Sequence, residues 1–150
     1  MDMQLTSYTE YALRVLLFLG TLDEGEKTNI KEISTIFSLS EHHLSKIVHE
    51  LGKLGYIETI RGRNGGIRLA KRPEEIIVGA VVRETEDNLS LVECFASHGN
   101  ECILTPACRL RFVLREALEA FLRVLDTYTL ADLLENRTSL RALLKEQRDG

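Results

Sequence analysis

The sequence predicts a mainly helical fold with one small β-hairpin. Apolar residues recur at helical spacing along most of the 150-residue chain, which has no tryptophan and only two prolines. The run RGRNGG at residues 61–66 interrupts this pattern and contains the Asn-Gly pair that is typical of hairpins. The composition, 44% hydrophobic and 28% charged, is that of a folded domain.

Capping residues and apolar spacing predict three helices at the start of the chain. Ser7 with Glu10 and Asn29 with Glu32 have the spacing of capping boxes. Ser40, after a short turn, is a good N-cap for the third helix. The positions expected to face inward are Ala12, Val15, Leu16, Leu19, Leu22, Ile30, Ile33, Phe37, Leu44, Ile47, Val48, Leu51 and Leu54.

Two helices joined by a three-residue turn and followed by a hairpin are typical of a winged helix-turn-helix. The hairpin strands are expected at residues 56–60 and 67–69. Residues 61–72 hold five Lys or Arg and no acid, although the whole chain has a net charge of −4. A local basic patch on an acidic protein indicates that one face meets phosphate. We therefore expect residues 1–72 to form a DNA-binding domain for double-stranded DNA; the alternative is a generic helical domain with a solvated hairpin.

Candidate DNA contacts lie on the third helix, opposite its apolar face, and in the hairpin. Arg61 and Arg63 flank a glycine turn from which arginines can enter a narrow minor groove. Arg68 is a candidate phosphate contact. For each of these residues an ordinary solvated surface is the alternative. The expected contacts are Ser40, His42, His43, Lys46, His49, Arg61, Arg63, Asn64 and Arg68.

The second half of the chain is expected to hold a long helix that pairs with a second copy. A short helix is expected first, at residues 76–84, with Ile77, Ala80 and Val81 inward. Apolar residues then recur at helical spacing from 107 to 126. Because a long stripe after a complete DNA-binding domain needs a partner, we expect a homodimer. Its interface is expected to include Leu114, Leu118 and Phe121.

The end of the chain is expected to contribute little to the fold. Thr129 with Asp132 predicts a short last helix at residues 130–134. Residues 136–150 are highly charged and are expected to form a fraying tail, in which Leu140, Leu143 and Leu144 are able to pack. The expected units are a DNA-binding domain at 1–72, a cysteine loop and dimerisation helix at 73–135, and a tail at 136–150.

Three cysteines, Cys94, Cys102 and Cys108, lie in an irregular loop at residues 90–108. Thiolates are soft ligands that suit zinc or iron–sulfur clusters. Structural zinc sites usually have closer cysteine pairs, and the C-x7-C-x5-C spacing fits a bulky cluster better. A cluster, zinc and inert buried thiols stay as alternatives. Three thiolates would leave a four-iron cluster in need of a fourth ligand of another kind.

No feature of the sequence indicates a membrane protein, an exported protein or an enzyme. The longest apolar stretch, residues 15–19, is far below the ~18–20 residues of a membrane span. The start of the chain lacks the basic cluster of a signal peptide, so we expect a cytoplasmic protein. A nucleophile–base pair and a phosphate-binding glycine loop are not evident, which makes a metalloenzyme the weaker alternative.

Three stretches resemble the winged-helix iron–sulfur regulator family that includes IscR and CymR, and within it the repressors that respond to nitric oxide. They are LTSYTEYALR at 5–14, LGYIETIRGRNGGIRL at 54–69 and VECF at 92–95. The resemblance extends from residue 5 to about residue 134. It implies a homodimeric repressor with a 4Fe–4S cluster in the loop before the dimer helix, which releases operator DNA when nitric oxide nitrosylates the cluster.

The resemblance also implies a ligand set. The three cysteines would bind the cluster, and Glu10 stands at the position of an acidic fourth ligand in the first helix, which is usually an aspartate. Arg111 stands where IscR-like members have a histidine, which does not support their type of 2Fe–2S site. A 2Fe–2S cluster and zinc stay as alternative cofactors. A regulator of the same fold that senses iron–sulfur status, oxygen or redox state is the alternative function.

Overall fold

The computed structural model describes residues 4–87, 89 and 99–149, and this part of the chain is mainly helical with a single hairpin. None of the described helices is long and apolar enough to span a membrane. The predicted fold class is confirmed. In chain order the elements are α1 (Ser7–Thr21), α2 (Ile30–Phe37), α3 (Glu41–Lys53), β1 (Ile57–Ile60), β2 (Gly66–Leu69), α4 (Val78–Thr85), α5 (Leu110–Asp126), α6 (Leu130–Leu133) and α7 (Arg137–Asp149).

Helix α1 lies at the centre of the hydrophobic core. It packs against α3, α4, α6, α7 and β2, so that apolar residues on most of its circumference are buried. Removing this surface from water is the main contribution to stability. The fully buried side chains of the core include Val15, Leu16, Phe18, Ile33, Leu44, Ile47, Leu51, Ile76 and Leu130.

The N-terminus of α1 is capped by Thr6, not by Ser7. The Thr6 hydroxyl accepts a hydrogen bond from the Thr9 amide at 3.4 Å. The Glu86 carboxylate, which follows α4, accepts from the Thr6 amide at 3.0 Å and from the hydroxyls of Thr6 and Thr9. The predicted Ser7–Glu10 capping box is therefore wrong, because a carboxylate from a distant segment satisfies the first turn.

The helix-turn-helix is formed by α2 and α3, and its predicted N-caps, Asn29 and Ser40, are confirmed. The Glu32 carboxylate accepts from the Thr28 hydroxyl rather than from the Asn29 amide, so the predicted capping box is only half formed. Asn29 accepts from the Glu32 amide at 2.8 Å, and Ser40 accepts from the His43 amide at 3.0 Å. The turn between them places Ser38 in the left-handed region, with φ 54°. The short turn holds α3 against α1 and leaves one side of α3 exposed.

Strands β1 and β2 form an antiparallel hairpin, with Ile57 opposite Leu69 and Ile60 opposite Gly66. Its turn is closed by a hydrogen bond from the Gly65 amide to the Gly62 carbonyl at 3.0 Å. The left-handed residue is Gly62, with φ 101°, and not a member of the Asn-Gly pair. The hairpin is thus as predicted, but Arg63 and the following asparagine lie at the tip of the turn.

Helices α4 and α5 pack on each other through a second apolar cluster. Val78, Val82 and Leu122 are its buried members. The expected inward position of Ile77 is wrong, since this residue precedes α4 and is 42% exposed. Helix α5 begins at Leu110 rather than at 107, because a 3₁₀ turn at Thr105–Ala107 precedes it.

Residues 137–149 form a packed helix, so the expected fraying tail is wrong. Helix α7 lies against α1 and α2, and Leu144 joins the main core, whereas Leu143 is 62% exposed. The helix before it, α6, begins with the predicted capping box of Thr129 and Asp132. The charges of α7 made the segment look like a solvated tail, but its three arginines at 137, 141 and 148 form ion pairs with the loop between α1 and α2.

Candidate DNA interface and cysteine loop

The exposed face of α3 carries three of the predicted DNA contacts. His42, Lys46 and His49 are exposed, while Leu44 and Ile47 on the other side are fully buried. Ser40 is exposed at the N-terminus of α3, where its hydroxyl is used as the cap. In a helix-turn-helix this is the face of the second helix that enters the major groove.

His43 differs from its neighbours on α3. It is half-buried and lies edge-on to the Tyr11 ring of α1, with ring centroids 6.1 Å apart. The Arg14 guanidinium lies 5.1 Å from the centre of the same Tyr11 ring and pairs with Glu10. The sequence analysis missed Tyr11, and the signal available was its place one residue after Glu10 in the 5–14 run.

The hairpin of β1 and β2, residues 57–69, is the wing of this fold, and its turn exposes two arginines. Arg61 and Arg63 have no ion pair or hydrogen bond to the residues that the structure describes. Asn64 accepts a hydrogen bond from the Lys27 ammonium at 3.3 Å, a contact that the sequence analysis missed. Arg68 pairs with Glu58 on the opposite strand, which offsets the positive charge expected to meet phosphate.

The base of the wing is tied to α4 through Tyr56. Its hydroxyl donates to the Glu84 carboxylate at 2.7 Å, and the Lys71 ammonium lies 4.9 Å from the ring centre. Burial, followed by the hydrogen bond to Glu84, raises the pKa of the Tyr56 hydroxyl. The tyrosine therefore stays neutral and holds the wing to the helix that precedes the cysteine loop.

The cysteine loop is described from residue 99 onward, and Cys94 lies outside the described residues. Cys102 and Cys108 are free thiols and half-buried. The Cys102 amide donates to the Asn100 side chain at 3.1 Å, and its carbonyl accepts from the Thr105 hydroxyl at 2.9 Å. These local bonds fix the backbone between the two thiols.

The described residues do not by themselves assemble a metal site. In residues 4–87, 89 and 99–149, no three His, Cys, Asp or Glu side chains are grouped closely enough to hold a metal ion. Glu10 is half-exposed and pairs with Arg14 instead. The Nε of Arg111 is buried without a hydrogen-bond partner in the described part, and its Nη1 donates to the Thr105 carbonyl at 3.5 Å. Two free thiols and a buried guanidinium nitrogen without a partner, all within residues 102–111, fit a thiolate-bound anionic group.

An apolar face of α5 has no cover from the described residues of its own chain. Leu110, Val113, Phe121 and Val124 are 60%, 58%, 46% and 57% exposed. Leu118, by contrast, packs against the α4–α5 cluster. Exposed apolar patches of this kind mark interaction surfaces.

A helix-turn-helix with an exposed second helix, followed by an arginine-bearing hairpin, defines a winged-helix DNA-binding protein. The chain belongs to the Rrf2 family, whose model, described as an iron-dependent transcriptional regulator, matches residues 5–136. The family resemblance drawn from the sequence is thereby confirmed.

Relatives of high identity are named as transcriptional regulators. The HTH-type transcriptional regulator NsrR of Geobacillus kaustophilus is 84% identical over 146 residues, which cover 97% of this chain and 99% of the relative. The regulator of the same name from Halalkalibacterium halodurans is 62% identical over 95% of this chain and 98% of its own. That from Bacillus subtilis is 54% identical over 95% and 98%. The chain is accordingly a transcriptional regulator of the Rrf2 family.

Solved structures of the same family share the fold. IscR of T. potens superposes with a TM-score of 0.69 at 26% identity, covering 91% of this chain and 89% of its own. CymR, the global cysteine regulator of B. subtilis, gives 0.65 at 29% identity, with coverage of 88% and 96%.

Proposed function

We propose that the chain is a homodimeric repressor that binds double-stranded operator DNA and responds to nitric oxide through a 4Fe–4S cluster. The ligands would be Cys94, Cys102, Cys108 and Glu10. The observation that carries the proposal is the pair of free thiols, Cys102 and Cys108, on a loop that local hydrogen bonds hold in place directly before α5. Soft thiol ligands that lie close together in sequence, next to a DNA-binding unit, are suited to sensing. They are not needed to fill the hydrophobic core, which is the usual role of a free cysteine.

DNA binding would use α3 in the major groove and the wing beside it. Lys46 on α3 and Arg61 and Arg63 on the wing are the exposed cations best placed to meet DNA. A twofold protein reads two half-sites about one helical turn apart, since its symmetry is that of a palindromic operator.

Dimerisation would bury the exposed face of α5. Leu110, Val113 and Phe121 lie along one side of this helix and are open to solvent in the single chain. A second copy of the same helix supplies a matching stripe, which is the usual solution in a twofold interface. The partner's α1 would then be available to bring a carboxylate to the cysteine loop.

Coupling between the cluster and DNA would run through α1. The cluster, when bound, supplies iron that reacts with nitric oxide. Glu10 pairs with Arg14, the Arg14 guanidinium lies over Tyr11, and Tyr11 contacts His43 of α3. If the Glu10 carboxylate binds the cluster, Arg14 loses its ion-pair partner. The contacts of Arg14 with Tyr11, and of Tyr11 with His43 of α3, would then differ between the two states of Glu10. A coupling of ~1–3 kcal/mol changes DNA occupancy about 5–150-fold.

The test combines metal analysis with DNA binding. Protein purified without oxygen is expected to carry about four iron and four sulfide per chain. Gel shifts should show operator binding that nitric oxide abolishes, and Cys102→Ala and Cys108→Ala should lose both the cluster and the response. One tightly bound zinc without sulfide would contradict the proposal.

The second candidate is a regulator of the same fold that senses iron–sulfur status, oxygen or redox state. The family description as an iron-dependent regulator favours keeping it. DNA release on exposure to oxygen or on iron depletion, with no release by nitric oxide, would select this alternative. A count of two irons per chain would point to a 2Fe–2S cluster in the same loop.

A further inference from the structure

Helix α7 binds the end of α1 through two arginines. Arg137 and Arg141 both donate to the carbonyl of Thr21, the last residue of α1, at 2.8 and 2.5 Å. Cations at this position satisfy unpaired carbonyls and interact favourably with the negative end of the helix dipole. Helix α1 has no basic residue of its own in the last turn, so α7 provides this cap.

The same face of α7 also binds the acidic loop that follows α1. Arg137 pairs with Asp23 at 2.5 Å, and Arg141 pairs with Glu26 at 2.6 Å. Arg148 reaches Glu32 in the first turn of α2, at 3.2 Å. Three arginines on one helix therefore hold the loop at residues 22–29 from both of its ends.

This loop in turn holds the wing. The Thr28 carbonyl accepts from the Ile67 amide of β2 at 3.0 Å, and Lys27 donates to Asn64 at the tip of the wing. The Thr28 hydroxyl donates at 2.7 Å to Glu32, the residue that Arg148 pairs with. A continuous set of polar contacts therefore runs from α7 through the loop to the hairpin.

We propose that Arg141 and Arg148 of α7 are positioning residues for DNA binding, because they fix the loop against which the wing is held. This inference rests on the proposed contact between the wing and DNA. Without the two arginines the loop loses its ion pairs at Glu26 and keeps only the pair of Asp23 with Arg137, so the wing is held at its β2 side by a loop with fewer contacts. Arg61 and Arg63 would meet the DNA in many orientations instead of one, and part of their binding free energy would be lost to ordering.

The decisive experiment is a double-mutant cycle on DNA affinity. Operator binding is measured by fluorescence anisotropy for the wild type, Arg141→Ala, Arg63→Ala and the double variant, at several salt concentrations. We expect Arg141→Ala to weaken DNA binding about tenfold. Arg63→Ala should reduce the affinity less in the Arg141→Ala background than in the wild type, because both substitutions act through the wing. The salt slope, which is the change of log affinity with log salt concentration, should become less steep in Arg141→Ala, although Arg141 is not expected to contact DNA.

Lys145→Ala is the matched control, since Lys145 is an exposed cation of α7 without an ion pair in the described part of the chain. It should leave the affinity unchanged. Glu26→Gln breaks the ion pair from the loop side and serves if Arg141→Ala folds poorly. The inference would be overturned if Arg63→Ala reduced the affinity equally in both backgrounds, or if Arg141→Ala and Glu26→Gln left the affinity unchanged. Either result would leave the proposed wing contact with DNA intact. No effect of Arg63→Ala in the wild type would overturn the wing contact, and the inference with it.

Discussion

Glu10 shows how much a single residue's surroundings change its interpretation. The Ser7-x-x-Glu10 pattern predicts a capping box, yet Thr6 is the N-cap and Glu86 binds the first turn of α1. A pattern local in sequence cannot reveal a carboxylate 80 positions away. Asn29 was predicted correctly as a cap, because its partner is the amide of the nearby Glu32.

Because it is not a cap, Glu10 can be removed at little cost to the fold. Its exposed pair with Arg14 is of the kind that contributes about 0.3–0.5 kcal/mol. We expect Glu10→Ala to unfold at nearly the wild-type temperature but to alter the visible spectrum of the anaerobically purified protein and its response to nitric oxide. Thermal unfolding and absorbance spectra check the two parts.

Arg14→Ala is the control for this prediction, because it breaks the same ion pair and keeps the carboxylate. It should leave the spectrum as in the wild type. An unchanged spectrum and an unchanged nitric oxide response in Glu10→Ala would end the idea that Glu10 is a ligand.

At the scale of elements, the period of α5 was predictable but its partners were not. The apolar spacing defines a stripe of residues on one side of α5. The sequence pattern alone does not distinguish a stripe that packs against one neighbouring element from a stripe that packs against two. In the structure, Leu118 and Leu122 face α4, while Val113 and Phe121 are exposed. Of the three residues predicted for the dimer interface, Phe121 therefore has the most suitable position, and Leu118 already has contacts in its own chain.

A charge on each side of α5 should separate folding from assembly. We expect Phe121→Glu to give a folded monomer, because the exposed stripe loses its apolar character. Leu118→Glu should lower the unfolding temperature, since it places a charge against the α4–α5 cluster. Size-exclusion chromatography with light scattering, together with circular dichroism, distinguishes the outcomes. If the Phe121→Glu protein is fully dimeric, the exposed face of α5 is not part of the dimer interface.

Helix α3 and the wing were both predicted from the sequence. Their exposed cations are expected to contribute to DNA binding to different extents. Lys46→Ala and Arg63→Ala should weaken operator binding and lower the salt slope by about one unit each, as one fewer counterion is released. Arg68→Ala should have a smaller effect, because Glu58 already offsets its charge. Anisotropy titrations at several salt concentrations measure all three. Equal loss in Arg68→Ala would mean that DNA displaces Glu58.

At the scale of the whole molecule, the two ends of the chain are bound together. The charges of α7 indicated a solvated tail, since the acidic residues that bind its arginines are far away in sequence. Their partners, Asp23 and Glu26, lie 114 and 115 positions earlier. The cysteine loop is the other part that sequence could only outline: the spacing suggested ligands, but the described residues do not group three of them, and Cys94 lies outside the described residues.

The acid stability of the molecule should report on this contact. The hydrogen bond from Arg141, with a further one from the Asp23 amide, lowers the pKa of Glu26 from 4.5 to about 2. A lowered folded-state pKa stabilises the fold above the unfolded value, and this contribution is lost as pH falls from about 4.5 towards 2. Urea unfolding of wild type and Glu26→Gln across this range should show a smaller loss in the variant. Glu24→Gln, on the same turn, should behave as the wild type.

The position of α7 also has a consequence for the order in which the protein becomes competent. The helix is synthesised after the segments that it holds, and these can begin to fold while translation continues. The contacts of Arg141 and Arg148 with residues 22–32 can form only once α7 has left the ribosome. A chain that stops before residue 137 lacks these ion pairs, so that its wing keeps its polar contacts with Thr28, Lys27 and Glu84 without the support of α7. We therefore expect such premature products to compete poorly for DNA with chains that carry α7.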